Sequence, residues 1–96
     1  MKSSNEYTLK QAIEALINQY KIEERLSETV VINDWEKIVG KMVARHTKNM
    51  RIKKRVLFIE FDNAALRNEM SFAKTRLIDA INKSLKNDAI EEIVFT

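Results

Sequence analysis

The sequence predicts an α+β domain: three strands backed by helices, in the order α-α-β-β-α-β. Two observations carry this. Apolar residues recur every three to four positions before residue 43 and again from 64 to 85, whereas in two short runs, 49–53 and 57–62, Met50 and Ile52 and then Leu57, Ile59 and Phe61 recur at every second position. A third, the terminal "IEEIVFT", reads as a closing strand with Ile93 and Phe95 on one face.

Leu9, Ala12, Ile13, Leu16, Ile17 and Tyr20 mark one helix face, with Thr8 as a plausible N-cap, and predict a first helix over 8–20. The charged "KIEERLSET" then reads as a solvated connection. A second stripe (Val31, Trp35, Ile38, Val39, Met42) runs to Gly40, the single glycine and so the natural helix terminator or close-packing point. Trp35 is expected to fill the space between two helices.

In the alternating region, Met50 and Ile52 face the same side as Leu57, Ile59 and Phe61. An even-numbered loop centred on Lys54 and Arg55 pairs 52 with 57 and 50 with 59, and sets Arg51 opposite Phe58 and Lys53 opposite Val56 on the outer face; an odd loop scrambles the faces. The tip "KKRV" lacks the Gly, Asn or Asp that a two-residue type I′ turn prefers, so a two-residue and a four-residue tip both fit. Asn63 should cap a long helix over 64–85 with the stripe Leu66, Met70, Ala73, Leu77, Ile81. Phe72 lies off that stripe, which predicts a kink near Ser71 and a second packing layer or a partner for Phe72. Asn87 and Asp88 end the helix. The expected core includes Trp35, Val39, Gly40, Leu57, Ile59, Phe61, Leu66 and Leu77.

Composition bounds function. Ninety-six residues, 45% hydrophobic and 32% charged, describe one globular domain, read as a flexible stretch over 1–7 and a single domain over 8–96. With no Cys and one His, neither thiolate catalysis nor a usual zinc site can be built from one chain. One Gly cannot form a phosphate-cradling loop. No run approaches the ~20 apolar residues of a membrane span and no secretory signal opens the chain, so a cytoplasmic protein without membrane contact is expected. The reading is a binding module, not an enzyme, with no cofactor.

Charge points to the partner. The run "KMVARHTKNMRIKKR", residues 41–55, holds seven Lys or Arg and no acid, which leaves ten basic against 14 acidic residues elsewhere, a net −4. Such polarity favours phosphates or acidic surfaces. Lys41 and Arg45 share a helix side; Lys48, Arg51, Lys53, Lys54 and Arg55 continue onto the hairpin, and Arg67 and Lys74 extend the stripe. Such a track binds phosphates with a strong salt dependence. The same charges can also simply protect a sheet edge from aggregation. Phe58 beside Arg51 either stacks an unpaired base or packs against the last strand or a neighbouring copy. His46 either donates to a phosphate or a backbone carbonyl, or bonds Thr47 to shape the helix-to-strand turn.

The stretch "WEKIVGKMVARHT" (Trp35, Val39, Gly40, Ala44, His46, Thr47), followed by a basic strand, a strand ending in Asp and a helix opening with small residues, resembles the DciA family of bacterial proteins over residues 9–95. The resemblance implies a KH-like domain and a non-catalytic, nucleoid-associated DNA-binding protein that helps place the replicative helicase on DNA. Three features depart from the family pattern: Leu66 stands where Trp is common, "KKR" stands where the hairpin tip often has Gly with Asp or Asn, and the flexible helicase-engaging tail of many members is not expected after Thr96. DNA binding therefore carries over more directly than helicase loading. A KH Gly-x-x-Gly clamp is absent, so nucleic acid must use another surface. Single-stranded or forked DNA is the favoured partner and RNA remains a candidate. The competing class is a protein-interaction adaptor whose basic face meets an acidic protein surface.

Overall fold

In the structure, a computed structural model, the backbone of residues 2–96 and the side chains of residues 8–96 are described. Of the stretch expected to be flexible, 1–7, residue 1 and the side chains of 2–7 lie outside the described residues, and the backbone of 2–7 is the start of α1. Helix α1 (Lys2–Val39) is followed by the short α2 (Lys41–Arg45), the hairpin β1 (Thr47–Lys53) and β2 (Val56–Phe61), helix α3 (Ala64–Met70), a 3₁₀ turn (Ser71–Ala73), α4 (Lys74–Leu85) and β3 (Glu92–Phe95). The sheet order is β1-β2-β3; β1 and β2 are antiparallel, β2 and β3 parallel. The parallel pair requires the α3–α4 crossover. Class and element order are those expected from the sequence.

The boundary between the first two helices is not. The expected connection "KIEERLSET" is helical, and α1 runs unbroken for 38 residues, about 57 Å at 1.5 Å per residue. The molecule measures 61 × 24 × 20 Å. Two causes act together. The segment contains no Gly or Pro and is rich in Lys, Glu, Arg and Leu, which lose little side-chain freedom in a helix. Its acids are also engaged: the backbone N–H of Ile52 donates to Glu28 Oε2 (3.2 Å) and that of Lys54 to Glu24 Oε2 (2.7 Å). Glu24 and Glu28, four apart on one face, thus satisfy one outward N–H of the edge strand β1 and one of the hairpin tip.

The break falls at Gly40 instead, at φ 88° and ψ 168°, a region open essentially to glycine alone. No atom lies within 4 Å of where a Cβ would stand, and the residue is exposed, so Gly40 ends the helix rather than joining the core. Gly40→Ala is expected to cost about 1–3 kcal/mol in urea unfolding, through backbone strain alone.

The core lies between the helices and one sheet face. Met50 and Ile52 of β1, Leu57, Ile59 and Phe61 of β2 and Ile93 of β3 are buried beneath Val31 and Trp35 of α1 and Leu77 and Ile81 of α4. Leu66 joins them, while Val39 and Phe95 pack at the margin, half-buried. The hairpin register is the expected one: 52 pairs with 57, 50 with 59, 51 with 58 and 53 with 56. The tip is the two-residue alternative, with Lys54 at φ 50° and Arg55 at φ 67°, both left-handed as a type I′ turn demands. Lys54→Asn, which tolerates that conformation better, is expected to raise stability by about 0.5–1 kcal/mol, read as a shift of the urea midpoint.

Asn63 caps α3, its Oδ1 accepting the backbone N–H of Leu66 (3.0 Å). The long helix breaks at Ser71–Ala73, where the kink was expected, but no second layer covers Phe72, which is 82% exposed. After α4, Lys86 turns the chain at φ 58°, and the Asn82 side chain donates to Ile90 O (2.9 Å) and accepts from Ile90 N (3.0 Å). This amide clamp aims the chain into β3.

Candidate nucleic-acid interface

Where α2 meets β1, packing and polar bonds fix the backbone. Val43 buries against the core, and the Thr47 hydroxyl donates to Val43 O (2.8 Å) while accepting the indole N–H of Trp35 (2.9 Å). The buried Trp35 therefore has its one polar group satisfied. A bulge between Thr47 and Asn49 leaves Lys48 as the extra residue, exposed at the start of β1. Lys41 and Arg45 lie exposed on α2 just before it.

His46 is held by Asp62 rather than by Thr47, whose hydroxyl is already used. Its Nδ1 lies 2.7 Å from Asp62 Oδ1, and its carbonyl accepts the Asp62 N–H (3.0 Å). An ionised carboxylate only accepts, so Nδ1 carries the proton. This pair ties the end of α2 to the end of β2 and places an acid beside the histidine. Among the described residues, no three His, Asp or Glu side chains are grouped to hold a metal ion.

The outer sheet face follows from the register. Arg51 and Lys53 point away from the helices beside Phe58 and Val56, and Phe58 in turn pairs with Val94 of β3. Phe58 is 38% exposed. Val94 lines a shallow groove with Arg67, Asn68 and Ser71 of the α3 region and with Lys74. A cross-strand row, Arg51–Phe58–Val94, thus joins the cations of α2 and β1 to Arg67 and Lys74 on the far side of β2. The face is not uniformly positive, since Glu60 stands opposite Asn49 and Glu92 opposite Val56.

Two of the expected cations are partly committed elsewhere. The Arg55 guanidinium donates to Asp88 O (2.6 Å) and lies 3.9 Å from Glu91, so it braces the 86–91 loop. Lys74 lies 3.9 Å from Glu92 and 5.7 Å above the Phe95 ring. Glu24 and Glu28 place negative charge along the β1 edge, beside Arg51 and Lys53. Sequence reasoning missed Glu24, Glu28 and Asp62; only the four-residue spacing of the first two gave a signal. Lys41, Arg45, Lys48, Arg51, Lys53 and Lys54 remain exposed along one side, with Arg67 beyond Phe58.

Among the described residues, no helix is long and apolar enough to cross a membrane. No match was found among curated proteins. Residues 8–95 match the family described as "Dna[CI] antecedent, DciA". With nearly the whole folded chain inside that match, this protein belongs to the DciA family, a family associated with loading of the replicative helicase.

Proposed function

We propose that this chain is a non-catalytic KH-like DNA-binding protein that assists loading of the bacterial replicative helicase, acting in the cytoplasm at the nucleoid. The observation that carries the reading is the row Arg51–Phe58–Val94, which links exposed cations on α2 and β1 to the groove holding Arg67 and Lys74. Cations along such a path neutralise phosphates, and an exposed aromatic beside an arginine offers a platform for an unpaired base. This favours single-stranded or forked DNA over duplex. The tip end of the β1 edge is a poor route for added backbone pairing, because Glu28 and Glu24 already accept the N–H groups of Ile52 and Lys54. His46 contributes through position, its Nδ1 side taken up by Asp62.

Loading is tested by following the replicative helicase onto a forked DNA with and without this protein. Acceleration by the wild type and none by a variant reversed at Arg51 and Lys53 supports the proposal; acceleration by both removes the DNA face from it. The adaptor reading draws support from Phe72, which stands 82% exposed among the described residues. On that reading the helicase co-purifies after nuclease treatment and the Arg51 and Lys53 reversals leave DNA affinity unchanged. Equal affinity for matched RNA and DNA strands marks a general polyanion binder.

A further inference from the structure

Helix α1 carries an apolar stripe beyond the body of the domain. Leu9, Ile13, Leu16, Ile17 and Tyr20 are between 49% and 66% exposed. At about 100° per residue they lie on the side of the helix that, further along, buries Val31 and Trp35 on the sheet. The core-facing surface therefore continues for three turns with nothing among the described residues upon it. At its root, the stripe opens into a groove between α1 (Tyr20, Ser27) and the loop carrying Asn87 and Asp88.

The chemistry of the stripe selects its occupant. It offers no cation for a phosphate backbone, and only Lys10 and Lys21, with Glu14 between them, flank it on one side, unlike the Lys- and Arg-rich polar face of a membrane-surface helix. Its spacing is its distinguishing feature. The steps from Leu9 to Ile13 to Leu16 to Tyr20 are four, three and four residues, a pattern that reads the same in both directions and has the alternation of a coiled-coil seam. An antiparallel copy meets it layer for layer, Leu9 against Tyr20 and Ile13 against Leu16, each twice. Such an interface is closed and self-complementary. It leaves the two bodies at opposite ends and brings the start of each helix beside the groove of the other.

We infer that two copies of this chain associate through antiparallel pairing of α1 over residues 9–20. The sequence contains no Cys, so single introduced cysteines report contacts without interference. By sedimentation equilibrium the full chain is expected to show twice the mass of one chain, dissociating on dilution. Leu16→Glu, at an exposed position, is expected to raise the dissociation constant at least roughly tenfold while the unfolding transition followed by Trp35 fluorescence persists. A mixture of Leu9→Cys and Tyr20→Cys chains is expected to form the mixed disulfide far faster than either chain alone, because like positions lie about 16 Å apart along the pair, well beyond the ~7 Å Cα separation a disulfide spans. A one-chain mass even at millimolar concentration overturns the inference. So does a dimer indifferent to Leu16→Glu, or Leu9→Cys chains linking to one another as fast as to Tyr20→Cys chains.

Discussion

Replacing Trp35 by Ala is expected to remove about 3–5 kcal/mol of stability, the usual cost of truncating a buried aromatic. Against the ~5–15 kcal/mol that holds a domain together, this places the protein near its unfolding threshold. Trp35 is 3% exposed and packs in the same cluster as Val31, Met50 and Ile52, so its removal leaves a cavity where α1 crosses the sheet. It also removes the indole N–H that the Thr47 hydroxyl accepts, leaving that hydroxyl only its bond to Val43 O. Trp35→Phe keeps most of the volume and loses the bond, and should cost much less. Urea unfolding followed by far-ultraviolet circular dichroism measures both. A loss under about 1 kcal/mol for the Ala variant would mean that the α1–sheet junction repacks freely, contrary to the close packing of interiors.

The second large effect is on binding. Arg51→Glu with Lys53→Glu is expected to weaken single-stranded DNA binding at least roughly tenfold at low salt and to flatten the salt slope by about 1.4, two phosphate contacts at ~0.7 each. Both residues are exposed on the outer sheet face, and neither makes an ion pair among the described residues. Their reversal should therefore leave the unfolding midpoint nearly unchanged. Lys83→Glu, on the exposed side of α4, serves as the control and should change the slope little. Equal losses in both variants would point to net charge rather than to this face.

Much of this architecture was legible because its signals are local. The hairpin register followed from which residues alternate, since a one-residue slip would have turned Met50, Ile52, Leu57 and Ile59 to solvent. Asn63 announced a helix start, and the off-stripe Phe72 announced the break at Ser71–Ala73. What stayed hidden depended on distant partners. Nothing in "KIEERLSET" says that Glu28 and Glu24 will reach the N–H groups of residues 24 and 30 positions away, yet those bonds hold the segment helical against β1. The sequence offers His46 a phosphate, a backbone carbonyl or its neighbour Thr47, but the fold brings Asp62 to it, and the Thr47 hydroxyl bonds Trp35 and Val43. Arg55 looked like one more cation in a run until the 86–91 loop arrived beside it. Periodicity identified the face from Leu9 to Tyr20 as apolar without saying what covers it, and among the described residues nothing does.

The central claim is that the face built on α2, β1 and Phe58 binds DNA. Its most direct test is the fluorescence anisotropy of labelled single-stranded, forked and duplex DNA titrated with the wild-type protein over a range of salt. The account predicts binding that is tightest for single-stranded or forked DNA and that falls with salt at a slope near −3, about four phosphate contacts. Absence of binding at low salt, or affinity indifferent to salt, would contradict it and leave the basic run as a solvated edge or a contact for protein.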